Sequence, residues 1–350
     1  MLVRHPSNPL ISPADVVPSR PDFEVVGVFN AGATVYQGKT LLLLRVSERP
    51  LQAETRAILV PYLSSEGELV VRAIHSADSE WDTQDPRKVH HLPTGEMYLT
   101  SISHLRLAHS EDGVHFTTDP HPWVPPRPPF ESFGMEDARI TRIDDVFYIN
   151  YTSVSPHGIA TSLIATTDFV QLARRGVMFP PANRDVTIFP RRINGLYVCY
   201  HRPMPGMFGR MNIWMATSPD LQHWGNHQIV LESSTSNWDT GRVGGGAPPI
   251  WTDRGWLSIY HAADAQDRYC LGAFLTPHDE PGRIIARSRD AILRPQAPYE
   301  VDGFFRNVVF TCGAVVVDGI LRVYYGAADE RLALAEVPLD ELLDGLVWST

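Results

Sequence analysis

Lysine is nearly absent from this chain. Of its 350 residues, 30 are basic, and Lys39 and Lys88 are the two lysines, so almost every cation is a planar guanidinium suited to gripping carboxylate or phosphate with two bonds. Cysteine is equally sparse. Cys199, Cys270 and Cys312 are odd in number, far apart and each set in an apolar run, which argues against a disulfide framework or a zinc site and for buried, reduced thiols. There is no apolar stretch of membrane-spanning length, and MLVRHPSNPLISPADV lacks the apolar block and small-residue cleavage site of a secretory leader. A cytoplasmic protein without a membrane partner is expected. Net positive charge is lacking too: at −10 the chain repels nucleic acid, leaving its arginines to serve a small local anion. The 14 histidines are scattered, and His90-His91 and the carboxylates have no ligand spacing, so no metal is expected. Helical periodicity is scarce as well, LDELLDGL (339–346) being the best short candidate among 29 prolines and 25 glycines.

What is present is a repeat. GATVYQGKTLLLLRV (32–46), DARITRIDDVFYINYT (137–152), DVTIFPRRINGLYVCYH (185–201), GGAPPIWTDRGWLSIYH (245–261) and CGAVVVDGILRVYYG (312–326) follow one plan. An apolar strand runs into a tight polar or glycine turn and returns as an alternating aromatic/aliphatic strand. Third strands ending near Thr or Ser and Asp follow in SLIATTDF (162–169) and IWMATSPDL (213–221), and LRLAHSEDG (105–113) is alike. Short antiparallel units that cannot bury both faces alone stack radially, so five copies predict an all-β, five-bladed β-propeller forming one domain over 1–350. The amino-terminal residues are expected to close the last blade. The proline-rich HPWVPPRPPF (121–130) then reads as a loop between blades, and its tryptophan, with Trp238, as a candidate sugar-stacking surface.

In a propeller, matched positions of successive repeats converge on the central channel, so the repeat aligns the chemistry. Glu136, Asp137 and Arg139 open the second copy in GMEDARI, Arg184 and Asp185 open the third in NRD, and Arg242 precedes the fourth, which ends in Tyr260-His261. The fifth ends in YGAAD, with Asp329.

Taken together, FNAGA (29–33), LLLLRV (41–46), GMEDARI (134–140), NRDVTIFP (183–190), GRVGGGAPPI (241–250), IYHAAD (259–264) and YYGAAD (324–329) resemble the signature blocks of glycoside hydrolase family 130. That family comprises β-mannoside phosphorylases and a minority of β-mannosidases. The resemblance implies a five-bladed propeller, an inverting mechanism, inorganic phosphate as co-substrate and no cofactor. It implies Asp137 as general acid, its proton passing through a sugar hydroxyl to the glycosidic oxygen. Arg184, Arg242 and His261 match phosphate-holding positions, and Asn30, Arg45 and Asp329 match positions that hold the mannosyl unit, with Glu136, Arg139 and Asp185 beside them as further substrate contacts. Two positions depart from family branches: Arg242 stands where some carry lysine, and Asp185 where some carry asparagine. Family relatives are often oligomers, which leaves a homo-oligomer open.

The physical logic separates two reactions. An inverting glycosidase needs a carboxylate base about 6.5–9.5 Å from its acid, whereas phosphate is already an anionic nucleophile and needs cations to gather and aim it. Cations opposite Asp137 therefore favour phosphorolysis of a β-linked mannoside to α-mannose 1-phosphate. The alternative is an inverting β-mannosidase with Glu131, Asp185, Asp264 or Glu300 as base, and a more distant one a non-catalytic carbohydrate-binding propeller. Arg45 and Arg184 also have a plainer reading, as partners that neutralise Asp137 or Asp185. The glycosidic linkage is not legible, because loops such as 75–100, 203–212 and 299–307 build the acceptor side.

Overall fold

The computed structural model describes residues 1–52, 56–75, 77–235 and 237–348, and it is all-β. Among these residues, five antiparallel sheets follow one another along the chain. The first comprises Phe23–Tyr36, Lys39–Pro50, Ile102–Ser110 and Thr117–Thr118, and the second Met135–Ile143, Val146–Ser155, Gly158–Thr166 and Ala173–Phe179. The third comprises Asn183–Ile188, Tyr197–Pro203, Ile213–Ser218 and Gly225–Leu231. The fourth runs through Arg242–Gly245, Gly255–Ala263, Tyr269–Thr276 and Ala286–Arg287, with Val347–Trp348 at its edge. Val309–Val317, Ile320–Ala327 and Arg331–Pro338 form the fifth, whose outer strand is Val3–Arg4 from the amino terminus.

The sequence sets these hairpins locally. Gln37-Gly38, Asn194-Gly195 and Asp318-Gly319 all adopt positive φ, the pair of left-handed residues that a two-residue turn between right-twisted strands requires. The recurrent Thr/Ser and Asp after each third strand also has a structural cause. Asp112, Asp168 and Asp220 each accept two backbone N–H bonds from residues two and three positions onward, while Ser110, Thr166 and Ser218 bond the same turns.

The core lies between sheets. The run Leu41-Leu42-Leu43-Leu44 shows why its strand is apolar without alternation: Leu41 and Leu43 pack with Ile140 and Ile149 of the second sheet, Leu42 and Leu44 with Leu332 and Leu334 of the fifth. Comparable clusters join the second sheet to the third, the third to the fourth and the fourth to the fifth. The leading strands touch in succession, Phe23–Tyr36 against Met135–Ile143, that strand against Asn183–Ile188, and Asn183–Ile188 against Arg242–Gly245. Gly255–Ala263 reaches Val309–Val317, which returns to Phe23–Tyr36. Between the second and third strands of the first sheet the chain departs to build a hairpin, Ala57–Leu63 with Leu69–His75, and a small sheet of Trp81–Asp82, Lys88–His91 and Met97–Leu99. Leu339–Asp344 is helical, as its pattern predicts.

Candidate active site

Three leading strands carry the same irregularity at the same place. The register slips between Phe29 and Gly32, between Glu136 and Arg139, and between Arg184 and Thr187. In each slip one residue takes a left-handed conformation: Asn30 (φ 48°), Asp137 (φ 52°) and Asp185 (φ 56°). A bulge re-aims the side chain it carries, and Asn and Asp tolerate this conformation better than other side chains. The repeated Asn/Asp is thus at once a backbone requirement and the means by which three polar groups leave their sheets and meet.

They meet in two layers. In the open layer, Asp137 Oδ1 accepts from Asn30 Nδ2 at 2.9 Å and from an Arg45 guanidinium nitrogen at 3.0 Å, and Oδ2 accepts from Arg184 at 2.9 Å. Arg45 also donates to Glu136 Oε1 at 2.9 Å and stacks over the Phe29 ring at 4.6 Å. The side chains of Arg45, Arg184 and Arg242 remain 15%, 21% and 19% exposed, whereas Asp137, at 1%, is buried against the first two. Arg242 donates to the Tyr269 hydroxyl at 2.8 Å and to Asp267 at 2.7 Å. Asp329 lies within electrostatic reach of Arg45, Glu136, Asp137 and Arg87, and Arg87 stacks on Phe305 at 4.0 Å.

The second layer is closed. Asp185 Oδ2 is 3.0 Å from Arg202 and 3.1 Å from His261 Nε2, and its Oδ1 is 3.4 Å from Arg139 and 3.5 Å from Arg184. His261 and Asp185 are fully enclosed, and Arg139 is spent on the carbonyls of Asp137 and Gly245 as well. His261, expected at phosphate, and Arg139 and Asp185, expected at sugar, are thus brought into contact with one another in this layer. Gly244 makes the cage possible: a Cβ there would stand 2.5 Å from both Asp185 Oδ2 and His261 Nε2.

The electrostatics follow the layering. Burial pushes the Asp137 carboxyl up, but Arg45, Arg184 and Arg139 outweigh it and hold it below the ordinary carboxylate range. Asp185 behaves alike, with Arg202, His261 and Arg184 overcoming burial. Asp329 goes the other way: burial, reinforced by Asp137 and Glu136 against Arg45 and Arg87, raises it to about 6. Burial drops His261 to about 4, against the pull of Asp185.

Four carboxylates proposed above as alternative bases are otherwise engaged. Glu131 accepts from the Tyr151 hydroxyl at 2.6 Å and Arg174 at 2.7 Å, Asp264 from Arg268 at 3.0 Å, and Glu300 from Arg4 and the Tyr325 hydroxyl, both at 2.7 Å. Asp185 is caged as described. The Trp123 indole N–H donates to the Phe169 carbonyl at 2.6 Å, and Trp238 stacks on Tyr260 at 5.8 Å and lines a cavity of about 620 Å³ with Arg287 and Trp348. Tyr62, Tyr98, Phe133 and His157 line a second cavity of about 350 Å³ whose wall includes the inserted hairpin. Phe133 stands four residues before Asp137. Sequence reasoning missed Arg202, although it lies directly across the ladder from Arg184, and Arg87, which sits in the insertion outside the repeat.

The profile of glycoside hydrolase family 130, described as beta-1,4-mannooligosaccharide phosphorylase, matches residues 95–347. The chain belongs to this family. Within family 130 it is similar to a beta-1,2-mannobiose phosphorylase of Listeria innocua, 42% identical over 99% of this chain and 98% of that protein. It is 37% identical to a 1,2-beta-oligomannan phosphorylase of Thermoanaerobacter sp. over 70% of this chain and 82% of the relative. The solved structure of the Listeria innocua enzyme in complex with beta-1,2-mannobiose superposes with a TM-score of 0.95, covering 98% of each chain at 42% identity.

Proposed function

We propose that this chain is an inverting β-mannoside phosphorylase that transfers a mannosyl unit from a β-linked mannoside to inorganic phosphate, giving α-mannose 1-phosphate and the remaining sugar. The observation that carries the reading is the open layer: Asp137 is held by the Arg45 and Arg184 guanidiniums beside Glu136 and Asp329, while Glu131, Asp185, Asp264 and Glu300, the carboxylates considered as a hydrolase's base, are engaged by other partners. Asp137 supplies the proton to the leaving oxygen. Arg184 and Arg242 hold phosphate, and the caged Asp185, His261, Arg202 and Arg139 fix Arg184 from behind. Asn30, Arg45, Glu136 and Asp329 hold the mannosyl unit, and a longer substrate extends toward the cavity lined by Tyr62 and Tyr98. Phosphate serves as co-substrate, and the reaction needs no cofactor.

The names of the 42% and 37% identical relatives favour a β-1,2 linkage over the β-1,4 linkage in the family description. The succession of contacts between leading strands supports a single-domain, five-bladed propeller around this site. Three buried free thiols suit a cytoplasmic location, and a homo-oligomer is compatible with the fold. Among the described residues, no helix is long and apolar enough to cross a membrane.

The test is product release from β-1,2-, β-1,3- and β-1,4-mannobiose with and without phosphate. Mannose 1-phosphate should form from the β-1,2 substrate and depend on phosphate; equal release of free mannose in both conditions would reject phosphorolysis. Asp137→Asn should lower turnover by about 10²–10⁴-fold, the range of a positioned general acid.

A further inference from the structure

A general acid must hold a proton, yet Asp137 is clasped by two guanidiniums that favour its charged form. Arg45 and Arg184 approach its two oxygens at 3.0 and 2.9 Å. Every other charged group facing it enters the balance. Glu136 and Arg139 come from its own strand, Arg184 and Asp185 from the next sheet, with His261 behind Asp185, and Asp329 and the Cys312 thiol from the fifth sheet. Arg45, Arg139, Arg184 and Arg202 stand against Glu136, Asp137, Asp185 and Asp329, so the cluster is close to neutral before any anion arrives.

Arg184 is the shared member. It is the partly exposed cation assigned to phosphate and, at the same time, the donor that holds Asp137 Oδ2. Its Nε has no hydrogen-bond partner, although Asp185 lies 3.5 Å away. An incoming dianion would both compete for this guanidinium and add negative charge beside Asp137.

We propose that anion binding at Arg184 loads the catalytic proton: phosphate draws the guanidinium away from Asp137, whose carboxylate then takes up one proton from solvent, so the acid is armed when the nucleophile is in place. This inference rests on the phosphorolytic reading. The proton balance closes over the cycle. Monohydrogen phosphate enters, and Asp137 gains a solvent proton. As the phosphate oxygen bonds to the anomeric carbon and the glycosidic bond breaks, that proton passes to the leaving oxygen. The mannose 1-phosphate monoanion then loses its phosphate proton to solvent, and Asp137 is again a carboxylate paired with Arg184.

Linkage makes the idea measurable, because an anion that raises the proton affinity of Asp137 must bind more tightly to the protonated protein by the same factor. Arg45, Arg184 and Arg139 hold the group below its ordinary range, so loading it near neutrality requires a coupling of more than about a hundredfold. Sulfate is the probe, since unlike phosphate it does not itself titrate near neutrality. Calorimetric titration at pH 6.0–7.5, in buffers of different ionisation enthalpy, should report uptake approaching one proton per sulfate. Affinity should rise by up to about tenfold for each unit of acidification. Uptake should vanish in Asp137→Asn and persist in Asp329→Asn, which removes the other carboxyl that titrates in this window. Infrared difference spectra of the unmutated protein should show a protonated carboxyl band on sulfate addition, independently of how any variant folds. Sulfate binding without proton uptake, or uptake unchanged in Asp137→Asn, overturns the proposal. Failure of sulfate and phosphate to bind at all removes the phosphorolytic reading, and this inference with it.

Discussion

Asp329 and His261 illustrate how one enclosed site can shift two groups in opposite directions. The His261 value falls from 6.5 to about 4, so the folded protein binds fewer protons than the unfolded chain between those pH values, and this contribution to stability is lost as pH falls through the window. The Asp329 value rises from 3.8 to about 6, so the folded protein binds more protons there, and its contribution declines as pH rises. The two slopes oppose each other between about pH 4 and 6. Buried His104 and His201, each lowered to about 3, act in the same sense as His261. Asp329→Asn should therefore steepen the loss of stability on acidification, and His261→Gln should flatten it; denaturant midpoints measured from pH 4 to 7 check both. Opposite changes would mean that the burial of these groups is misassigned.

At the scale of elements, the bulged strand is the unit that builds the site, and its tolerance for side chains is narrow. Gly244→Ala would push a methyl group into the Asp185–His261 contact, where overpacking costs about 1–3 kcal/mol. Chemical denaturation should show that loss, together with weakened anion binding through a displaced Arg184. Gly326 is comparable, because a Cβ there would stand 2.1 Å from Asn30 Oδ1. The inserted strands wall a cavity of about 350 Å³. Tyr98, in Met97–Leu99, contributes an aromatic wall to the 350 Å³ cavity and packs edge-on against Phe133 at 5.6 Å. Tyr98→Ala should raise KM for mannotriose severalfold and leave mannobiose nearly unchanged, a comparison that steady-state kinetics resolves. An equal effect on both substrates would place Tyr98 outside the path of the sugar chain.

Across the whole molecule, the amino terminus is tied to the distant carboxyl-terminal sheet. Val3–Arg4 pairs with Arg331–Pro338, and the Arg4 guanidinium engages Glu300, whose side chain is fully buried and also accepts from Tyr325. Breaking this pair leaves an uncompensated buried carboxylate, so Arg4→Ala should destabilise the fold by about 3 kcal/mol, measurable by denaturant unfolding. Removing residues 1–11 should cost more, since Leu2 and Ile11 belong to the cores on either side of the fifth sheet. An unchanged midpoint in either variant would show that the fifth sheet holds without its outer strand.

Much of this was readable from the chain alone because it depends on neighbours in sequence. Alternation and turn residues gave the hairpins, and the Thr/Ser and Asp pairs gave the ends of the third strands. The repeat and the family resemblance pointed to Asn30, Asp137 and Asp185, while the bulge that carries each of them emerged with the sheets. Whether a polar group faces the opening or another side chain is a different matter, since it depends on contacts between residues far apart in the chain. His261 met Asp185 across a glycine, Arg202 completed the cage, and the Trp123 indole found the Phe169 carbonyl. Packing in three dimensions made that choice, because burial and charge compensation are properties of the assembled sheets, which no single segment carries.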